Sequence, residues 1–229
     1  MNKRVLEALK RSRYKVVTDS RELDEIYRLR YNCYRAEQSI PENETGMMTD
    51  AFDRTENCIH VAVEVDGEFA ASVRLHLVSK LSVASPTLEV FPEILDDVAR
   101  GQTVLDSTRF VISPAARKQL VALHFLVLRI PFLATIFYDI DLALAPVRAE
   151  HTAFYRRYLG YEAVMEPRSY PGLEKPIQLL TAKVKEQREA VLDRTPVFGL
   201  VSEIPHSNIA FPDLEGVYAP SKRNGSEAA

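Results

Sequence analysis

The sequence contains no tryptophan and only two cysteines, Cys33 and Cys58, among its 229 residues. Because the start of the chain does not resemble a signal peptide, we expect two reduced thiols in a cytoplasmic protein rather than a disulfide. The five histidines are scattered, and neither a C-x-x-C pair nor an H-E-x-x-H motif is present. The residue pattern therefore predicts no metal site.

Neither sign of charge is in large excess. The formal net charge is −3 and the sequence pI is about 6.0, so no global basic field indicates a nucleic-acid partner. A long uninterrupted apolar run is also missing, because the longest tract, residues 120–137, contains His124, Arg129 and Pro131. That tract predicts a buried or groove-lining helix and no transmembrane segment.

The composition predicts one domain followed by a tail. With 46% hydrophobic residues, the chain has enough apolar material for a full core, which we assign to residues 1–185. Proline, serine, asparagine and charged residues dominate 186–229. We expect this segment to be weakly structured and to dock in part through Val197 and Phe198 or through Phe211.

Hydrophobic periodicity predicts the order helix, hairpin, strand, long helix, strand, helix, strand, strand. The hairpin is indicated by Asp66-Gly67 between two apolar runs. The long helix is expected over about 115–138, kinked or interrupted at Pro131, and the next helix is expected to end at Gly160. This order predicts a mixed α/β (α+β) fold with a twisted, mostly antiparallel central sheet flanked by helices.

The segment "LDSTRF", residues 105–110, places Asp106 and Arg109 inside an otherwise apolar strand. Charges in such a strand are costly unless they meet an opposite charge, a substrate or water. In a regular strand residues 106 and 109 face opposite sides, so a mutual ion pair is not expected unless a bulge intervenes. The long polar loop 39–57 carries Asp50 and Asp53, and we expect Arg109 to tie the strand to these carboxylates.

Three segments of the second half resemble the GCN5-related N-acetyltransferase superfamily: "STRFVISPAARKQLVALHFL", "DLALAP" and "FYRRYLGYEAV". In that superfamily the strand is followed by a pyrophosphate cradle, Arg/Gln-x-x-Gly-x-Gly/Ala. Glycine there lets backbone amides approach a phosphate. The matching residues 117–122 carry Leu120 at the first glycine position, which disfavours tight coenzyme A binding.

Five shorter motifs narrow the resemblance: "LRYNCYR", "MMTDAFDR", "SVRLHL", "FPEIL" and "LDSTRF". They resemble, in order and spacing, acyl-homoserine lactone (autoinducer) synthases and the related long-chain N-acyl amino acid synthases. The chain lacks the tryptophan that lactone synthases carry after the first helix. It also has Thr49 where they have an acidic residue and Asp106 where they usually have Glu. These departures favour the N-acyl amino acid synthase branch.

The resemblance implies an N-acyltransferase that moves a medium or long acyl chain from acyl carrier protein to the amine of an amino acid. The donor is a phosphopantetheine thioester, with acyl-CoA as the other candidate donor, and no cofactor stays bound. The resemblance places Asp106 in the site, and we take it as the candidate base. As further catalytic candidates we add Tyr155 or Tyr158, either of which could protonate the departing thiolate. The implied acceptor-binding residues are Arg30, Tyr34, Asp50, Asp53, Arg74, Thr108 and Arg109. We add acyl-binding candidates, Phe91, Phe110, Leu123 and Leu126, and a basic patch for the acidic carrier protein, Arg117, Lys118, Arg148, Arg156 and Arg157.

Other interpretations stay open at this point. The chain could use S-adenosylmethionine as a lactone synthase does, or could bind acyl carrier protein or a lipid without turnover. Acetyl-coenzyme A-dependent acetylation is disfavoured by Leu120. Among single residues, Arg74 and Arg109 could belong to a structural ion network, and the two tyrosines could be ordinary core residues.

Overall fold

The structure, a computed structural model, describes residues 2–219. Within this range seven strands form one sheet in the order β1-β2-β3-β4-β5-β7-β6. Every neighbouring pair is antiparallel except β4 and β5, which are parallel. The strands are β1 (Ser12–Val17), β2 (Cys58–Val65), β3 (Glu68–Val78), β4 (Val104–Ile112), β5 (Leu142–Val147), β6 (Glu162–Ala163) and β7 (Gln178–Lys183). The predicted mixed fold with a mostly antiparallel sheet is confirmed.

The α-helices of the described range are α1 (Asn2–Lys10), α2 (Ser20–Ala36), α3 (Pro86–Val90), α4 (Leu95–Ala99), α5 (Pro114–Gln119), α6 (Leu123–Phe137), α7 (Thr152–Leu159) and α8 (Val184–Arg194). Short 3-10 turns lie at Ala51–Arg54, Pro92–Ile94, Ala149–His151, Pro196–Phe198 and Pro205–Ser207. Helix α2 begins where the Asp19 side chain accepts hydrogen bonds from the amides of Arg21 and Glu22, a helix N-cap of the usual kind.

The predicted hairpin between β2 and β3 is present. Asp66 and Gly67 both have positive φ, 53° and 88°, as a two-residue hairpin turn of this type requires. The pairing continues along both strands from Val65 opposite Glu68 to Cys58 opposite His76. A local aspartate-glycine pair thus starts the pairing of β2 with β3, and the register shifts once, between Val63 and Glu64.

Helix α6 is buried on nearly all sides and lies against the sheet, as expected for a helix that is apolar all round. The interruption that we predicted at Pro131 is instead at residues 120–122, between α5 and α6. Pro131 lies inside α6. A proline removes one backbone donor, but its fixed φ suits a helix, and the packing around α6 maintains the helix through it.

Helix α7 ends at Gly160, whose φ is +69°. Only glycine adopts this left-handed conformation at no steric cost. A Cβ at this position would also displace the end of the Gln187 side chain in α8, which is flexible and can move aside. The predicted helix end is confirmed, and the close approach lets α8 pack beside α7.

The segment after residue 185 is more ordered than its composition predicted. Residues 184–194 form α8, which buries Val184 and Val191; these are seven residues apart and share one helix face. The irregular chain that follows buries Val197, Phe198 and Phe211, because these apolar side chains join the core cluster around α6. The last part of the predicted tail, 220–229, lies outside the described residues.

A candidate acyl-transfer site in the cleft between two strands

The candidate site lies where strands β4 and β5 separate. Their parallel pairing extends only from Val104 opposite Leu142 to Asp106 opposite Leu144. Beyond that point a cleft of about 470 Å³ opens between them, a size typical of small-molecule sites. Residues 107–112 of β4 form one wall of this cleft. The end of β5, parts of α2, α5, α6 and α7, and the loop residues 173–177 contribute to the others.

A bulge in β4 shapes this wall. The register with β3 changes between Ser72, opposite Val111, and Arg74, opposite Thr108. Arg109 lies in the extra stretch with φ +54°, a conformation that is uncommon for a residue with a side chain. The bulge turns Arg109 toward the ion network that Thr108 also contacts, so the alternation expected of a regular strand does not hold here.

The network is a chain of three arginines and two aspartates. Asp53 accepts from Arg30 at 2.6 Å and from Arg74 at 2.8 Å. Asp50 accepts from Arg74 at 2.6 Å and from Arg109 at 2.6 Å. The predicted link from Arg109 to the loop carboxylates is therefore present, and the 39–57 loop is held against β3 and β4 by paired charges.

The surroundings keep both aspartates ionised. Burial by itself raises the pKa of Asp50 and Asp53, but the neighbouring guanidinium groups outweigh it and hold both pKa values below the usual range. Burial lowers the pKa of His60 to about 4. Its neutral ring donates from Nε2 to the Asp53 carbonyl, so Nδ1 accepts from Arg30 at 2.9 Å.

Asp106 lies away from the cleft. Its carboxylate is fully buried and accepts hydrogen bonds of 2.7 Å from the hydroxyls of Ser85 and Thr87. Burial raises its pKa, against the effect of these two hydroxyl donors. This placement does not fit the predicted role as an acceptor-facing base, because pairing with β5 continues through Asp106 and the cleft begins one residue later.

The two candidate tyrosines of α7 separate. Tyr155 lines the cleft, and burial raises its pKa, with a further contribution from Tyr34. Tyr158 is not among the cleft residues and packs on the rings of Phe125 and Phe154 at 5.4 and 4.7 Å. Only Tyr155 is therefore placed to reach a group bound in the cleft.

The other predicted residues divide in the same way. Tyr34, Thr108 and Arg109 line the cleft, whereas Arg30, Asp50, Asp53 and Arg74 lie behind its wall. Of the acyl-binding candidates, Phe110 and Leu123 line the cleft. Leu126 is buried in the main core, and Phe91 packs in a separate cluster on the other part of the sheet. The wrong assignments arise because apolar side chains of one helix or segment face different sides.

The basic patch is smaller than predicted. Arg117 and Arg148 line the cleft and both lie near Glu37, at 3.8 and 3.2 Å. Lys118, Arg156 and Arg157 are exposed but not part of the cleft. Sequence reasoning missed several polar cleft residues, namely Glu37, Ser107, His124, His151 and Lys175. Ser107 lies within the quoted segment "LDSTRF", which was the sequence signal for it. The other four lie in segments that only the fold brings to the cleft.

Two further searches cover the described range. Residues 2–219 contain no group of three or more His, Cys, Asp or Glu side chains arranged to hold a metal ion. None of the helices in this range is both long enough and apolar enough to cross a membrane. Cys33 and Cys58 are both free, and burial raises the pKa of the Cys33 thiol in the cleft wall to about 11.

Solved structures share the fold at low sequence identity. FeeM, an N-acyl amino acid synthase from uncultured soil microbes, superposes with a TM-score of 0.65 at 14% identity, covering 80% of this chain and 96% of that one. BjaI, a CoA-dependent acyl-homoserine lactone synthase, gives 0.61 at 14% identity, covering 86% and 98%. An acyl-CoA N-acyltransferase from Pseudomonas aeruginosa gives 0.51 at 24% identity, covering 74% and 97%. The fold is thus that of the GCN5-related acyltransferases.

The sequence itself carries the family assignment. None of the curated proteins matches the chain. The sequence model of the N-acyl amino acid synthase FeeM, however, matches residues 25–183, well over half of the chain. This range contains the whole cleft wall of β4, the ion network and α7. The protein is therefore an acyltransferase that belongs to the FeeM N-acyl amino acid synthase family.

Proposed function

We propose that the protein transfers a medium or long acyl chain from the phosphopantetheine thioester of acyl carrier protein to the amine of an amino acid. The observation that supports this most directly is the cleft, which combines apolar walls with a buried arginine, Arg109, and basic residues at its edge. An acyl chain needs the apolar walls, an amino acid needs a cationic partner, and an acidic carrier protein needs the basic edge.

The chemistry requires little from side chains. A free amine attacks the thioester carbonyl, a C–N bond forms, the C–S bond breaks and the thiolate leaves. The α-amino group has a pKa of about 7.7–8.0, so water suffices to accept its proton. On the β5-facing side, residues 107–112 have no strand partner among the described residues, and amides on this edge are suited to hold the developing oxyanion.

Tyr155 is the side chain that we assign to the leaving group. Its pKa is raised by burial, so the phenol keeps its proton at neutral pH and donates a hydrogen bond to the departing thiolate. The thiolate then takes a proton from water, which balances the proton that the amine gives up to water. Asp106 has no part in this scheme. Tyr158 is assigned a packing role, because its ring contacts Phe125 and Phe154 rather than the cleft.

Carrier protein is favoured over coenzyme A as the donor by the sequence at the phosphate-facing turn. Leu120 stands at the first glycine position there, and its φ and ψ of −131° and 83° take the chain out of the helix. Arg117 and Arg148 at the cleft edge are the cations that we assign to a phosphopantetheine phosphate or to acidic carrier side chains, which would exchange with their present partners Glu37 and Glu150. The location in the cytoplasm stays a prediction.

The test is direct. The purified protein is incubated with acyl carrier protein thioesters and, separately, acyl-CoA thioesters of several chain lengths, together with mixed amino acids. Mass spectrometry should detect an N-acyl amino acid, formed faster from the carrier-bound donor. Release of methylthioadenosine from S-adenosylmethionine would instead identify a lactone synthase. Donor binding without thiol release in any mixture would identify a binding protein.

A further inference from the structure

The three arginines of the network differ in how completely they are paired. Arg74 is fully engaged, since Nε donates to Thr108 at 3.1 Å and both Nη atoms donate to carboxylates. Arg30 donates to Asp53 and contacts His60, and its Nε has no hydrogen-bond partner within residues 2–219. It does not reach the cleft, so no group bound there can pair with it. Both arginines are therefore occupied in holding the loop to the sheet.

Arg109 is different. It is 8% exposed, and one Nη atom donates to Asp50 at 2.6 Å. The other Nη donates only to the sulfur of Met48 at 3.9 Å, and Nε has no hydrogen-bond partner within residues 2–219. The guanidinium also lies over the ring of Tyr34, 5.9 Å from its centroid, and this contact satisfies no N–H donor. What separates Arg109 from Arg30 is its position in the cleft wall. A buried guanidinium with unsatisfied donors is costly. Because Arg109 lines the cleft, a bound group can reach it.

The charges of the network indicate that the group bound near Arg109 is negatively charged. Three guanidinium groups face two carboxylates, and His60 is neutral, so the network carries one excess positive charge. Asp106 acts on Arg74 only through space and forms no ion pair with the network, because its hydrogen-bond donors are Ser85 and Thr87. The excess charge belongs at the cleft end of the network, where an anion completes the pairing.

We propose that Arg109 binds the carboxylate of the acceptor amino acid, and that Arg30 and Arg74 only support it. This inference rests on the proposed function. Arg109 lies three residues beyond the last β4–β5 pair, at Asp106, beside the stretch that we assign to the thioester carbonyl. In an α-amino acid one carbon separates the carboxylate from the amine, so an acid bound at Arg109 presents its amine to that carbonyl. Acceptors that lack the carboxylate lose this anchor.

The first test changes the substrate and leaves the protein intact. The best amino acid acceptor of the wild-type protein is compared with its carboxamide, using the same acyl donor. We expect kcat/KM to fall by about 10²-fold or more for the carboxamide, because a buried charge then stays unpaired. Equal kcat/KM for acid and carboxamide would overturn the inference. No product with any acceptor would instead overturn the proposed function.

The second test separates binding from a purely structural role. Glycine adopts the φ of +54° at position 109 without strain, whereas alanine does not. If Arg109 only holds the bulge, Arg109→Gly should recover activity that Arg109→Ala loses, with the preference for the acid retained. If it binds the carboxylate, both variants should use acid and carboxamide within about threefold of each other.

Arg100→Ala is the matched control, because Arg100 is exposed and paired with Asp97 far from the cleft. It should keep the wild-type preference for the acid. Melting temperature and donor binding are measured on each variant to confirm folding. If the Arg109 variants do not fold, the comparison of acid and carboxamide with the wild-type protein still tests whether the acceptor carboxylate is bound. Retained acid preference in a folded Arg109→Gly variant would overturn the inference.

Discussion

Asp53 is the most tightly enclosed member of the ion network. Its side chain is 2% exposed. One carboxylate oxygen accepts from Arg30 at 2.6 Å and Arg74 at 2.8 Å, and the other accepts from the Asp50 amide at 2.8 Å. Asp53→Asn replaces one oxygen by an NH₂ group and removes the negative charge. Arg30 then loses its only carboxylate partner among the described residues.

Removing one partner of a buried ion pair costs about 3–5 kcal/mol, because the other charge stays buried without compensation. For a chain of this size each kcal/mol corresponds to roughly 2–4 °C in melting temperature. We therefore expect Asp53→Asn to lower the melting temperature by roughly 6–20 °C. Because the loop that holds Arg109 loosens, turnover should fall as well.

Asp66→Asn is the matched control. Asp66 also pairs with an arginine, Arg11 at 2.8 Å, but its side chain is 63% exposed. Its φ of 53° is one that asparagine tolerates, so the change tests the ion pair alone. Exposed pairs contribute little, and the melting temperature should stay within about 2 °C of wild type. Similar shifts for the two variants in thermal and urea unfolding would refute the argument from burial.

Three further outcomes are expected. Burial lowers the pKa of His60 to about 4 and that of His76 to about 3. The stability that these neutral rings contribute is therefore present above pH 6.5, and it is lost as the pH falls toward these values. An NMR titration that shows either ring protonated at pH 6 would contradict this expectation. Arg129 is fully buried and donates to the carbonyls of Val197, Gly199 and Ser207 at 2.6–2.8 Å. Arg129→Met leaves these three carbonyls without a donor, so it should destabilise the protein by about 3 kcal/mol or more and expose residues 196–219 to protease. Arg188→Met in exposed α8 should do neither. Asp106→Asn should lower turnover by less than about tenfold, because the carboxylate does not face the cleft; a loss of about 10²–10⁴-fold with normal melting would identify it as the base after all.

Local features in the sequence determined much of the fold. The Asp66-Gly67 turn, the Asp19 cap and Gly160 each act within a few residues, so their consequences are readable without the rest of the chain. The positions of the strands followed from apolar alternation for the same reason. The pairing of Arg109 with the 39–57 loop was also predictable, since inward arginines in a core need carboxylates and the loop supplied them.

Only the tertiary structure decided which of these residues reach the cleft. The bulge at Arg109 and the end of β4–β5 pairing at Asp106 depend on neighbouring strands, and they move Arg109 into the site and leave Asp106 outside it. The order of the segment after 185 depends likewise on Arg129, whose partners are 68–78 positions away in the chain. A single sequence records propensities within a few residues, whereas register, burial and charge pairing arise from contacts between distant segments.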